Sequence, residues 1–182
     1  MTATDTPKTK FNALLHDQIG HEFTASQQYI AIGAYFDDAD LPQLAAHFYK
    51  QAVEERNHAM MIIRYLIDRR VSVEIPGAGA VTNGFTAPRE PLALALAQEQ
   101  TVTDQVTELA RTARDEGDYI GEQFMQWFLK EQVEEVALMD TLLTVAERAG
   151  DNYFDLEEFV AREISVESTA DATAPPAAGG AL

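Results

Sequence analysis

Apolar residues recur at alternating intervals of three and four along four long stretches of this 182-residue chain. Such spacing places them on one face of an α-helix and leaves polar residues on the opposite face. The four stretches cover residues 11–36, 41–66, 92–113 and 125–146. We therefore predict an all-α fold built on four long amphipathic helices, each with one inward-facing apolar seam.

The segments between these helices differ in length, and the difference predicts how the helices are arranged. A short polar break precedes the second helix, where Asp40 is the expected N-cap and Pro42 lies in the first turn. A similar break at 115–118 joins the third and fourth helices, and Gly150 ends the fourth. Residues 71–88 are too long for a tight turn, so we expect a crossover that sets the third helix parallel to the second.

The two ends of the chain predict different behaviour from the bundle between them. Residues 153–163 are amphipathic and predict a short fifth helix. Residues 1–8 are polar and are expected to form a flexible N-terminus, whereas 9–164 are expected to form one bundle domain. Residues 165–182 are rich in Ala, Pro and Gly, which predicts a disordered tail.

All four apolar seams are interrupted near their midpoints by ionisable or amide side chains. In the second helix the interruption is Glu55-Arg56-Asn57-His58, and residues three apart share one helical face. Buried ionisable groups are unfavourable unless they are paired or bind a metal. Because the midpoints of helices of similar length meet at one level, we predict a single polar layer inside the bundle. Its members are Glu22, Glu55, His58, Glu99, Gln132 and Glu135.

The chemistry of this predicted layer indicates a metal site. Four carboxylates and one imidazole form an oxygen-rich ligand set that suits iron or manganese. A carboxylate that bridges two ions, with the others as terminal ligands, would hold a dinuclear centre. The alternative is an acidic helical bundle without catalytic activity, which requires other partners for the carboxylates. The seams are expected to offer no buried Lys or Arg beside these carboxylates.

Composition narrows the possible partners and compartments. The chain has 13 basic and 30 acidic residues and a formal net charge of −17, which makes nucleic-acid or anionic-membrane binding unfavourable. It has no cysteine, which excludes disulfides, thiolate metal sites and cysteine nucleophiles. We expect a soluble cytoplasmic protein, since no secretory signal and no apolar run of about 18–20 residues is present.

Over roughly residues 8–164 the chain resembles the bacterial non-haem ferritins. Symmetric di-iron bundles carry Glu-x-x-His on two helices, whereas here the fourth helix has Gln132-x-x-Glu135 instead. Bacterioferritins have a haem-ligating methionine where this chain has Arg56, so no haem is expected. The resemblance implies a ferritin-like four-helix bundle that assembles into a hollow 24-subunit shell, with the fifth helix lining the fourfold axes.

Carried over residue by residue, the resemblance implies a di-iron ferroxidase centre. A first iron would be held by Glu22, Glu55 and His58, and Glu55 would bridge to a second iron. The further residues at this second iron would be Glu99, Glu135 and, nearby, Gln132.

The resemblance also implies supporting groups around the centre. A third iron site beside the pair would use carboxylates that match Glu54, Glu131, Glu134 and Glu135. Tyr29 of the first helix matches a tyrosine that supplies an electron to the centre. These residues lie on the same helices as the predicted ligands, so the resemblance is consistent along the chain.

Two features of the family are only partly matched. Of the carboxylates that line the threefold pores, Glu122 matches one, whereas the other position is Met125. Of the carboxylates that seed mineral on the inner wall, Glu54 matches one, but its neighbours are Asn57 and Met60. The sequence therefore does not identify the iron entry pore or the nucleation residues.

The predicted function is iron storage with ferroxidase activity. Fe(II) would be oxidised by O₂ or H₂O₂ and stored as a hydrated Fe(III) oxide inside the shell. A soluble di-iron oxidase or peroxidase without storage is the alternative within the enzymes, although it would have no use for a fifth helix. A mini-ferritin is disfavoured for the same reason, because those proteins lack that helix.

Overall fold

The structure is a computed structural model that describes residues 9–164 and 171–182. Within these ranges its regular elements are all helical, and the predicted fold class is confirmed. A π-helical turn at Val160–Ile164 continues the last helix. None of the described helices combines the length and apolar character that a membrane span requires. The helices are α1 Lys10–Asp38, α2 Pro42–Asp68, α3 Arg89–Asp115, α4 Tyr119–Ala149 and α5 Tyr153–Phe159.

The helices form an antiparallel pair on each side of the long crossover. The start of α1 lies at the end of α3, where the backbone N–H of Lys10 donates to Glu116, and further along Tyr29 meets Glu99. These contacts make α1 antiparallel to α3, and a short link makes α1 antiparallel to α2. Consequently α3 runs parallel to α2, as the length of the 71–88 connection predicts.

The interior is divided into two apolar clusters, one towards each end of the bundle. Both clusters contain side chains from all four long helices, and the layer predicted to be polar lies between them. The first cluster includes Phe11, Leu15, Ile62, Val106 and Phe128, and the second includes Tyr29, Phe48, Leu92, Met139 and Leu142. A polar layer therefore interrupts an otherwise apolar bundle core.

The start of α2 is capped from a distant part of the chain. The prediction that Asp40 caps this helix is wrong, because Asp40 has a left-handed backbone (φ 56°) and Leu41 occupies the cap position without a side-chain bond. Instead the carboxylate of Glu157 accepts hydrogen bonds from the N–H groups of Gln43 (2.8 Å) and Leu44 (2.9 Å). This carboxylate also opposes the positive end of the helix dipole and attaches α5 to α2.

Residues 171–182, part of the segment predicted to be a disordered tail, lie against the bundle in the structure. The N–H of Ala178 donates to the carbonyl of Met60 at 2.9 Å, and Leu182 bonds through both its N–H and its carbonyl to Asn57. The physical reason is that small alanine side chains allow the backbone to approach a helix closely and to contact its apolar surface. Residues 1–8 and 165–170 lie outside the described ranges, so the predictions made for them stay predictions.

Candidate metal centre

Glu22, Glu55 and His58 meet in the middle of the bundle. Each offers one ligand atom, and these three atoms lie within 4.8 Å of one another. The side chains are nearly inaccessible, with 1% of Glu22, 1% of Glu55 and 6% of His58 exposed. Because Glu55 and His58 are three residues apart on α2, they share its inward face, and His58 Nδ1 lies 3.3 Å from Glu55 Oε2. The sequence-predicted juxtaposition of these three side chains is present.

Two carboxylate oxygens in this cluster have no hydrogen-bond partner among the described residues. They are Oε2 of Glu22 and Oε1 of Glu55, and both are buried. A buried carboxylate oxygen without a partner is strongly unfavourable unless its charge is neutralised. A cation bound between α1 and α2 would provide that neutralisation, and carboxylate and imidazole are suitable ligands for Fe(II).

The pKa values of the carboxyl groups in the cluster also indicate that no positive charge among the described residues balances them. Burial raises the pKa of Glu22 well above its ordinary value, and the neighbouring Glu55 raises it further. Burial likewise raises the pKa of Glu55, with Glu99 as the next contribution. Burial therefore favours the protonated form of these carboxyl groups in the metal-free protein, whereas a bound cation would favour their ionised form.

Glu99 of α3 extends the layer towards α4. Its side chain is fully buried, and the hydroxyl of Tyr29 donates to Oε1. The amide of Gln132 donates to Oε2 at 3.4 Å, and the amide oxygen of Gln132 in turn accepts from the Thr103 hydroxyl at 2.9 Å. Burial raises the pKa of Glu99 and also that of Tyr29, whose hydroxyl the adjacent Glu99 charge helps to keep protonated. Both oxygens of Glu99 are thus oriented by protein groups.

Glu135 completes the layer from α4 and lies at its partly accessible edge. Its Oε2 accepts a hydrogen bond from the amide of Gln51 at 2.7 Å. Burial raises the pKa of Glu135 to about 8, and the charge of Glu99 adds to the shift. The pKa of Glu135 therefore lies close to physiological pH.

The carboxylates predicted to hold a third iron lie beside Glu135 but nearer the surface. Glu54 and Glu131 are close enough to contribute to its raised pKa, whereas Glu134 is exposed. Lys50 Nζ lies 3.5 Å from Glu54 Oε1. Lys130 Nζ lies 3.8 Å from Glu131 Oε1 and 3.9 Å from Glu134 Oε1. Lysine ammonium groups thus partly offset the charge of these carboxylates, and the third site stays a prediction.

Aromatic side chains close the layer on the side of α4. The ring of His58 lies edge-on to Trp127 at 5.6 Å and to Phe128 at 5.7 Å between ring centroids. The indole N–H of Trp127 donates to Asp171 Oδ2 at 3.1 Å, and Asp171 lies 3.4 Å from Lys130 Nζ. The tail segment therefore contacts Trp127, whose ring packs against His58.

Two functional amides and one hydroxyl were missed by the sequence predictions of site residues. Gln18 donates to Glu22, Gln51 donates to Glu135, and Thr103 orients Gln132. Gln18 and Gln51 stand one turn before Glu22 and Glu55 in the same apolar seams, which is the signal that identifies them. Thr103 gives no comparable signal, since threonine is common on the partly exposed face of a helix.

The residues at the partly matched pore and nucleation positions have other contacts. Met125 is buried in the first apolar cluster and does not reach the surface. Glu122 accepts a hydrogen bond from Arg114 Nε at 2.9 Å. Asn57 and Met60, at the positions of nucleation carboxylates, are both contacted by the 171–182 segment.

Comparison with known proteins agrees with the fold of this chain. Residues 12–149 match the family model described as a ferritin-like domain. The chain is 67% identical to ferritin BfrB of Mycolicibacterium smegmatis and 65% identical to a Mycobacterium tuberculosis protein named bacterioferritin BfrB, over the full length of both chains in each case. An open-pore ferritin from Archaeoglobus fulgidus superposes with a TM-score of 0.83 at 24% identity, covering 90% of this chain and 100% of that one.

Proposed function

This chain belongs to the ferritin family, whose members store iron, and we propose that it oxidises Fe(II) at the mid-bundle layer and stores the Fe(III) product as a hydrated oxide. The observation that carries the proposal is the buried cluster of Glu22, Glu55 and His58, in which two carboxylate oxygens have no partner within the described residues. An acidic bundle without metal would have no cation to neutralise these buried carboxylates.

In the proposed centre the first Fe(II) is bound by Glu22, Glu55 and His58. Glu55 bridges to a second Fe(II), which Glu99 and Glu135 also bind. The raised pKa values of the buried carboxyl groups support this assignment, because a dication stabilises their ionised forms. Gln132 lies beside the second ion and orients Glu99 through its amide N–H.

The proposed reaction transfers one electron from each Fe(II) to the oxidant. Two Fe(II) ions reduce one O₂, which takes up two protons to give H₂O₂, or they reduce one H₂O₂ with two protons to two water molecules. The carboxylates favour Fe(III) over Fe(II) because their negative charge stabilises the higher cationic charge. Protons that leave the carboxyl groups when Fe(II) binds are available to the reduced oxygen.

Tyr29 is proposed to supply an additional electron when fewer than two come from iron. Its hydroxyl already donates to Glu99, so loss of an electron from the ring is accompanied by transfer of its proton to that carboxylate. Glu54, Glu131 and Glu134, with Glu135, are proposed to hold a third iron on its way from the centre.

Storage requires an enclosed space, which one bundle does not provide, so we propose a homo-oligomeric shell of 24 subunits. Large apolar side chains at the surface of the single chain support subunit contacts. Ile120 at the start of α4 is 65% exposed, and Phe154 at the start of α5 is 87% exposed. These side chains would be buried between neighbouring subunits.

We further propose that the protein does not bind haem. The relatives carry both ferritin and bacterioferritin names, so the support comes from this chain alone. Arg56 occupies the position of the haem-ligating methionine, and its Nη1 is buried among the described residues without a hydrogen-bond partner. A guanidinium is always protonated and has no lone pair to coordinate iron.

The proposed function is tested by adding Fe(II) aerobically to purified, metal-free protein and following Fe(III)-oxo absorbance. Wild type should oxidise Fe(II) much faster than buffer, elute as a large assembly with its iron, and show no haem absorption. Glu22→Ala and His58→Ala should each slow oxidation by at least tenfold without changing the assembly size. A small oligomer that oxidises Fe(II) no faster than buffer would falsify the proposal, and unchanged rates in both variants would refute the site assignment.

A further inference from the structure

Gln18 lies one helical turn before Glu22 on α1 and contacts it directly. The Gln18 Nε2 donates to Glu22 Oε1 at 3.0 Å, and the same nitrogen lies 3.3 Å from the amide oxygen of Gln105 on α3. An amide nitrogen carries two hydrogens, so both bonds are made at once. The acceptor on Gln105 fixes which end of the Gln18 amide points at the carboxylate.

Gln18 is a polar side chain in apolar surroundings. Only 2% of its side chain is exposed, and the neighbouring seam positions Leu15 and Ile19 belong to the first apolar cluster. A leucine or methionine would fill this position without the unfavourable burial of an amide. The amide therefore has a role that packing alone does not explain.

A second buried glutamine on α1 has a different role and provides a comparison. Gln28 donates to the carbonyl of Thr82 at 2.9 Å and accepts from its N–H at 2.7 Å, which anchors the crossover segment. The side chain of Gln28 has no carboxylate partner among the described residues. Gln18, in contrast, donates to Oε1 of Glu22. The other oxygen of that carboxylate, Oε2, has no hydrogen-bond partner among the described residues.

We propose that Gln18 is a positioning residue for the first metal site. Its N–H holds Oε1 of Glu22, which fixes the rotation of the carboxylate and presents Oε2 towards Glu55 and His58. This inference rests on the proposed function, since Oε2 is then the atom that binds Fe(II). Groups that orient metal ligands in this way commonly change metal affinity by about 10–100-fold when they are removed.

The test uses Gln18→Met, which keeps the length of the side chain and removes both N–H groups, with Gln28→Met as the matched control on the same helix. Zn(II) binding to the intact, metal-free assembly is measured by calorimetry, and anaerobic Co(II) binding is followed by visible absorption. We expect Gln18→Met to weaken Zn(II) binding about 10-fold or more and to alter the Co(II) spectrum. Gln28→Met should match wild type in both measurements.

Aerobic kinetics separate positioning from general structural damage. Gln18→Met should raise the KM for Fe(II) more than it lowers kcat, because the altered carboxylate mainly affects metal capture. Wild-type Zn(II) affinity and an unchanged Co(II) spectrum in an assembled Gln18→Met protein would overturn the inference while leaving the proposed function intact. If wild type itself neither binds these ions nor oxidises Fe(II), the proposed function fails.

A second variant keeps the inference testable if Gln18→Met does not assemble. Gln105→Met removes only the acceptor that orients the Gln18 amide and alters a side chain that is partly exposed. It should weaken Zn(II) binding in the same direction but by a smaller factor. Wild-type affinity in assembled Gln105→Met, with Gln18→Met unable to assemble, would mean that Gln18 acts in folding and would refute the positioning role.

Discussion

Glu135 is a carboxyl group through which pH should act on metal binding. Its pKa is raised by burial to about 8 from an ordinary 4.5, so at pH 7 the metal-free protein holds this proton. Zn(II) or anaerobic Fe(II) must displace the proton, and we therefore expect apparent affinity to increase as pH rises from 6 to 8. The protons released per bound ion should decrease over the same range, which a pH indicator measures directly.

Glu135→Gln provides the control for this prediction, because an amide fills the same space without titrating. The variant should release fewer protons at pH 7 and show a weaker dependence of affinity on pH.

The raised pKa of Glu135 should also affect the stability of the metal-free protein. Between about pH 4.5 and 8 the folded wild type holds a proton that the unfolded chain has lost. Its free energy of unfolding should therefore fall as pH rises through this window. Equal proton release by wild type and variant would contradict the assignment.

At the scale of residues, the sequence predicted the members of the polar layer but not how they are oriented. Glu22, Glu55 and His58 interrupt apolar seams, and that periodicity alone indicates that they point inward. The hydrogen bonds of Gln51 to Glu135 and of Tyr29 to Glu99 join different helices. Such bonds depend on the axial offset and rotation of packed helices, which a periodic pattern leaves undetermined.

At the scale of elements, Glu157 links α5 to the bundle, in addition to Leu156 of the same helix, which is buried in the second apolar cluster. Its carboxylate accepts from the N–H groups of Gln43 and Leu44 at the otherwise uncapped start of α2. Glu157→Ala should destabilise this end by about 1 kcal/mol, the usual effect of losing a helix cap. Hydrogen exchange at the amides of residues 43 and 44 should become faster, and chemical denaturation should report the lower stability.

Glu158→Ala is the matched control, since the neighbouring carboxylate has the same charge and is exposed. It should leave exchange at residues 43 and 44 unchanged. Equal protection of these amides in the two variants would show that Glu157 does not cap α2. The comparison also removes any general effect of lowering the negative charge of α5.

The extents of the helices were more predictable than their ends and than the tail. The long helices follow from apolar seams, and Gly150 ends α4 with φ 58° as a C-terminal glycine can. The cap of α2 comes from a residue more than a hundred positions away, which local sequence preferences do not indicate. The 171–182 segment has a composition typical of disorder, and its contacts with Asn57 and Met60 are not indicated by that composition.

At the scale of the whole molecule, two apolar clusters stabilise the bundle while the layer between them carries the chemistry. The division explains how one domain can bury several carboxyl groups without a cationic partner among the described residues, because the packing at both ends stabilises the fold independently of the layer. Sequence predicted this division through the shared level of the seam interruptions. The sequence did not predict the hydrogen bonds that orient the side chains of the layer.

The net charge of the chain should act on the capture of Fe(II). Each subunit carries a formal charge of −17, and a field of this sign raises the local concentration of a dication. With Fe(II) below saturation, raising NaCl from about 20 to about 200 mM should slow initial oxidation several-fold, because salt shortens the range of the attraction to about 10 Å or less. The rate at saturating Fe(II) should change little, and sucrose of matched osmolality should have no effect. Salt-independent rates below saturation would mean that the acidic surface contributes to solubility and not to capture.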